Sequence, residues 1–167
     1  MNKINLRSSN KDISVLFTIL LILFSFLFLI FPLIFIKIFP QSLLVNYIVS
    51  NNYLFYFSFI LLLYFVVTGI YYYKLKIDPY IIQMTSQRTI TGNFYNKENL
   101  DIPHSMLKKY SFFSRPFSFN KTLMLKIEIS KNKYIAKRFN MSILTKKEQN
   151  RISKILDQII EKEKKNG

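Results

Sequence analysis

The chain has no cysteine in its 167 residues, which excludes a disulfide framework and any thiolate metal site. It also has no tryptophan, three glycines and a single histidine. So few glycines leave little material for a phosphate-cradling loop, and no P-loop, GxGxxG or HExxH pattern occurs. His104 has no cysteine and few carboxylates beside it, too few donors for a typical zinc site. Asp101, His104 and Ser105 crowd into "DIPHS", whereas the members of a catalytic triad converge from separate segments. His104 therefore reads as a surface or loop residue. Acidic side chains are scarce too, 9 Asp and Glu against 24 Lys and Arg, for a formal charge of +15. Such a balance suggests nucleic acid, an anionic membrane surface or acidic proteins as partners. The excess of Phe, Ile, Lys, Asn and Tyr also fits AT-rich coding, which raises the Lys count without any help from function. The expectation is no catalytic residue, no metal and no cofactor, and hence not an enzyme.

Apolar residues are plentiful and unevenly placed. Ile13 to Ile36, "ISVLFTILLILFSFLFLIFPLIFI", holds no charged residue. As a helix it would extend ~36 Å, enough for a ~30 Å hydrocarbon core. A continuous apolar run without alternation means helix there, because the backbone must satisfy itself. Pro32 would kink or loosen its last turns. The run is too long for a cleaved signal peptide, and no small-residue cleavage site follows. A second run, Tyr53 to Tyr73, passes the same test, with tyrosines at both ends suited to headgroup level. Neither run carries Asp, Glu, Lys, Arg or His, so a plain anchor is expected rather than an ion path. Lys3, Arg7 and Lys11 precede the first run and Lys74 and Lys76 follow the second, while the connection has no Lys or Arg beyond Lys37. The positive-inside rule then puts both termini in the cytoplasm. The expected division is a cytoplasmic tail over 1–12, a transmembrane hairpin over 13–73 with helices at about 13–37 and 53–73, and a soluble domain over 74–167.

Beyond Lys74 the pattern turns to short alternating runs. Tyr80 to Ser86 and Arg88 to Asn96 read as strands around a turn at Ser86-Gln87. Asp78-Pro79 reads as a strand entry or bend, and "NKENLD" as a loop. "IPHSMLKKYSFF" fits either a strand or a helical turn. Thr122 to Ile129 and Tyr134 to Phe139, joined by "SKNK", form a hairpin. Thr145 to Glu148, "TKKE", fits a capping box. Behind it Ile152, Ile155, Leu156, Ile159 and Ile160 make one apolar helical stripe over about 146–164. The fold class expected is an α+β membrane protein: a transmembrane helical hairpin, then a small antiparallel β-domain capped by a C-terminal amphipathic helix.

Two N-terminal membrane helices, "YIIQMTSQRTITGNFYN", the Ile102-Pro103 step, a hairpin and a helix after "LTKKE" together resemble the bacterial membrane proteins with a PH-like domain. That resemblance implies a partly open barrel plugged by the final helix. It does not imply a ligand, because a fold does not fix a function.

Lys74, Lys76, Lys108, Lys109, Arg115, Lys121, Lys131, Lys133, Lys137 and Arg138 make a basic surface facing membrane or partner. Each cation near an anionic leaflet is worth about 1 kcal/mol. "KKYSFFSRPF" has the basic and aromatic mixture of a single-strand nucleic-acid binder, but aromatics at these positions read first as core, so nucleic acid is not the expected partner. The expected function is a non-catalytic inner-membrane accessory or scaffolding subunit that presents its domain to a membrane-protein partner or complex. The alternative is a module whose basic rim binds anionic membrane lipids; a homo-oligomer is compatible with both. Under either reading the part from about Asp78 onward would fold alone.

Overall fold

A computed structural model describes residues 5–90, 97–114, 116 and 118–166. The chain divides into two units, Met1–Ser14 with Ile70–Gly167, and Val15–Gly69 between them. The first unit is α+β, with two antiparallel sheets and a C-terminal helix. The order along the chain is strand β1 (Leu6–Ser9), the apolar segment, then strands β2 (Tyr71–Ile77), β3 (Ile81–Arg88), β4 (Glu98–Pro103), β5 (Leu107–Ser114), β6 (Asn120–Ser130) and β7 (Lys133–Ser142), and the last helix. Strands β1-β2-β3-β4 make one sheet and β5-β6-β7 the other.

The period of two decides which side chains enter the core. In β2, Tyr73, Leu75 and Ile77 face inward; in β3, Ile82 and Met84; in β4, Leu100 and Ile102. Leu123, Leu125 and Ile127 of β6 and Phe139 and Met141 of β7 face them from the second sheet. Helix α5 (Lys146–Asn166) closes this core with Ile152, Leu156 and Ile159, and Ile155 and Ile160 flank them half-buried. The Thr145 hydroxyl accepts from Glu148 N–H at 3.2 Å, and the Thr145 N–H donates to Glu148 Oε2 at 3.5 Å, so the expected capping box forms. The β6–β7 hairpin forms as expected; Asn132 at its turn takes φ 65°, a conformation asparagine tolerates.

Elsewhere the structure differs from the expectation. The residues read as a tail hold β1, which pairs with β2 in the register Leu6↔Ile77 to Ser9↔Lys74. The second apolar helix stops at Thr68, because Gly69 leaves helical geometry at φ 72°, and Tyr71–Tyr73 open β2 instead of continuing the helix. No turn occurs at Ser86-Gln87. Strand β3 runs through it because buried Ser86 faces inward and donates to the Asn140 carbonyl at 2.6 Å. The stretch "NKENLD" is mostly β4, since Leu100 and Ile102 share a face despite polar neighbours. Both readings of "IPHSMLKKYSFF" hold in part: a 3₁₀ turn over His104–Met106 leads into β5. Tyr110 and Phe112 pack against the core, while Phe113 beside them is exposed. The latter part of the expected strand 88–96 lies outside the described residues.

The second unit is helical. Helix α1 (Lys11–Ser25) continues through a π turn (Phe26–Ile30) into α2 (Phe31–Ile38). The π turn has a local cause. Pro32 cannot donate and its ring would strike the carbonyl four residues back, so the ladder shifts upstream and Phe31 N–H bonds to Phe26 O. Lys11–Ile38 has 28 residues and contains an 18-residue stretch of mean hydropathy 3.2, long and apolar enough to cross a membrane. The connection expected to be loop contains α3 (Leu43–Ser50), capped by the Ser42 hydroxyl accepting from Val45 N–H at 3.2 Å. Helices α3 and α4 (Tyr53–Thr68) are bent by 63° and reach spanning length only if their arms count as one. Ser25 and Thr68 return their hydroxyls to Leu21 O and Tyr64 O, both at 2.8 Å, so neither presents an unbonded polar group to its apolar surroundings.

Candidate functional site: the polar seam at the helix-bearing end of the sheets

Strand β1 runs into α1, and α4 returns the chain to β2 beside it. One end of the four-stranded sheet therefore carries both junctions. Asn10 bolts that end together. Its Oδ1 accepts from Tyr73 N–H at 2.7 Å, and its Nδ2 donates to Ser142 O at 2.6 Å and Tyr71 O at 3.2 Å. The Ser142 hydroxyl accepts from Tyr71 N–H at 2.7 Å and donates to Asn120 Oδ1. One buried amide thus ties β1, β2 and β7. Tyr73 beside it is fully buried; burial pushes its phenol above the ordinary value, and its hydroxyl shares a hydrogen bond with Ser8.

At this same end the inward stripes of the sheet stop being apolar. After Leu75 and Tyr73 comes half-buried Tyr71; after Ile82 and Met84 come Ser86 and Arg88; before Leu100 comes Glu98. The register sets Tyr71 opposite Arg88 and Ser86 opposite Glu98. Where the second sheet crosses, β7 contributes Arg138 and Asn140. Together with Gln87 these residues line a cavity of about 330 Å³. Asn140 Oδ1 accepts from Thr122 at 2.9 Å, and its Nδ2 donates to no partner among the described residues. Exposed Arg138 has no ion-pair or hydrogen-bond partner among the described residues.

The ten basic residues singled out in the sequence do not share one surface. Lys74 and Lys76 lie on the outer face of the four-stranded sheet with Gln83, Thr85 and Asp101, and Lys76 pairs with Asp78 at 2.5 Å. Lys108 and Lys109 are on β5. Lys108 pairs with Glu128 at 2.8 Å, which holds the Glu128 carboxyl below the usual range and raises the lysine. Lys121 donates to Gln149 Oε1 at 2.7 Å and Lys137 to Asn99 O at 3.1 Å. Lys131 and Lys133 sit at the β6–β7 tip, at the opposite end from Asn10. Arg115 lies outside the described residues. Of those among the described residues, only Arg138 lines the seam. Sequence reading missed Arg88; the alternation of Ile82 and Met84 with Gln83 and Thr85 stops at Ser86, so no local pattern marked it.

His104 is buried, not at the surface. Its N–H bonds to Tyr80 O at 3.0 Å, and its imidazole sits under α5. Burial lowers its pKa below 6.5, against opposing effects of the Asp78 backbone, Glu163 and the Ile81 backbone. The unfolded chain then takes up this proton at higher pH than the folded chain. Its contribution to stability is complete above pH 6.5 and declines as pH falls from there through the lower folded value. The expected slope is at most about 1.4 kcal/mol per pH unit. Thermal midpoints of the protein in detergent at about pH 7.5 and about pH 5.5 check this, with the drop reduced in His104→Gln.

Among the described residues no group of three or more His, Asp and Glu could hold a metal ion. In the helical unit the π turn, Pro32, α3 and α4 border an apolar groove of about 560 Å³ whose only polar side chains are Tyr47, Asn51 and Asn52. No protein family matches the chain, and no curated protein or solved structure matches it either.

Proposed function

We propose that the chain is a bacterial inner-membrane protein whose apolar segment forms a transmembrane hairpin. It holds a PH-like domain at the cytoplasmic face as a non-catalytic accessory or scaffolding subunit for a membrane-protein partner. The observation that carries this is the insertion of Val15–Gly69 between β1 and β2, which are hydrogen-bonded neighbours. Strands in one sheet lie on one side of a membrane, so a segment joining them crosses an even number of times or none. The length and hydropathy of Lys11–Ile38 favour crossing. Exposed Ile22, Leu23 and Leu33 suit hydrocarbon rather than water. Arg7, Lys11, Lys74 and Lys76 all sit on the domain side of the segment, which supports a cytoplasmic domain. Sheets of four and three strands with a C-terminal helix favour the PH-like reading.

A bolted domain held at a membrane surface suits contact with a partner. Capture of the tagged protein from its native membrane in mild detergent, washed at high salt, tests this. A stoichiometric partner surviving the wash is expected; recovery of the protein alone would overturn the subunit reading. Topology is checked separately on the Cys-free chain. A cysteine at Gln41 should react with an impermeant maleimide outside the cell, and one at Lys133 only after lysis. Equal reactivity would contradict the hairpin.

A further inference from the structure

We infer that the seam between the sheets, walled by Arg88, Arg138, Asn140 and Tyr71, is a binding site for a phosphate group. The ligand chemistry is a phosphate ester, whether on an anionic lipid headgroup or on a small soluble molecule. Four observations converge on this. The inward stripes of β2, β3 and β4 turn polar over two adjacent rows, Tyr73–Ser86–Glu98 and Tyr71–Arg88, which places Arg88 at the polar end of stripes that are apolar further in. A guanidinium from the other sheet, Arg138, reaches the same cavity without a partner among the described residues. The Asn140 amide has its oxygen engaged and an N–H₂ that donates to no partner among the described residues. The volume, about 330 Å³, is that of a small-ligand site. Paired guanidiniums suit phosphate because their planar forks match its oxygens.

Glu98 is the carboxylate on the same wall, and an incoming anion must compete with it. That makes the site's preference testable in both directions. Position also favours a headgroup. Tyr71 lies three residues past Thr68, at most ~11 Å of chain from the end of α4. This part of the inference rests on the membrane-held reading; the phosphate chemistry itself does not.

The test uses the full-length protein in detergent. Native mass spectrometry measures retention of phosphatidylglycerol against phosphatidylcholine, and in parallel inorganic phosphate and glycerol 3-phosphate are titrated against the thermal midpoint. Arg88→Gln/Arg138→Gln is expected to lower phosphatidylglycerol retention about tenfold or more. Glu98→Gln should raise it. Lys131→Gln/Lys133→Gln, which removes the same charge at the opposite end, should leave it unchanged. Arg138→Gln alone, at an exposed position, keeps the test valid should the Arg88 variant misfold. A midpoint raised by soluble phosphate without lipid retention would support the site and assign a soluble ligand. Equal losses from the seam and tip double variants, or no response to either ligand type, would overturn it. None of these results depends on the labelling at Gln41, so failure of the hairpin and failure of the site are separable.

Discussion

A chain in which ~5 polar residues replace Lys11–Gly69 is expected to fold as a soluble domain with one cooperative unfolding transition. Asp78–Gly167 on its own is expected not to fold. The difference lies in what each piece retains of the core. Leu6, Leu75 and Ile77 are at most 1% exposed, and all three are missing from a chain that begins at Asp78. Burying each is worth ~1.5–3 kcal/mol, so their loss removes roughly 5–9 kcal/mol. A domain of this size has only ~5–15 kcal/mol of net stability. The shorter piece would also expose the inward face and one edge of β3. The rejoined chain keeps every strand and needs only a short turn, since Asn10 N–H already donates to Tyr73 O at 3.3 Å. Circular dichroism with urea unfolding of the two proteins checks both halves. A folded Asp78–Gly167 would show that β1 and β2 are dispensable.

Asn10→Leu should lower the thermal midpoint of the rejoined domain by roughly 15 °C, from a loss of about 3 kcal/mol. The substitution leaves Tyr73 N–H and Ser142 O without their partner in a buried site, and each such group costs ~1–3 kcal/mol. Asn10→Asp and Asn10→Leu in the full-length protein in detergent, where α1 is retained, separate two explanations. Asn10 precedes α1, where Asn and Asp cap a helix equally well, so a capping role alone would make this change nearly silent. Here the amide must donate to Ser142 O and Tyr71 O, and a carboxylate would set negative oxygen against both carbonyls. The loss should therefore match or exceed that of Asn10→Leu. A silent Asn10→Asp, read by differential scanning calorimetry, would reduce the residue to a helix cap.

Local signals carried most of what was legible in the sequence. The charge-free run from Ile13 to Ile36, the Thr145–Glu148 box, the stripe from Ile152 to Ile160 and the Leu123–Ile129 alternation each declare themselves within a few turns. What escaped depends on partners far along the chain. Leu6–Ser9 has one apolar residue in four and becomes a strand only because β2, more than sixty residues later, accepts it. Tyr71–Tyr73 continue an apolar run, and only the positive φ of Gly69 marks where helix gives way to strand. His104 is flanked by polar neighbours, and its burial comes from α5 folding back over it. Arg88 belongs to the seam because β7, fifty residues on, crosses the end of β3. A long-range sheet pairing leaves no periodic trace, which is why β1 and the seam were not visible together.

The pairing of β1 with β2 across the apolar insertion is the claim on which the rest depends, and the absence of native cysteine makes it directly measurable in the membrane-bound protein. Arg7 and Lys76 are facing partners on the outer side of the sheet. Facing residues of antiparallel strands lie ~4.5–5.5 Å apart at Cα, within the range a disulfide spans. Gln83 faces Lys76 one strand further, ~10 Å from Arg7 and beyond that range. Mild oxidation of Arg7→Cys/Lys76→Cys in membranes should give a nearly complete intramolecular disulfide, and Arg7→Cys/Gln83→Cys should give little. Equal yields, or no bridge in the first pair, would contradict the inserted-hairpin architecture.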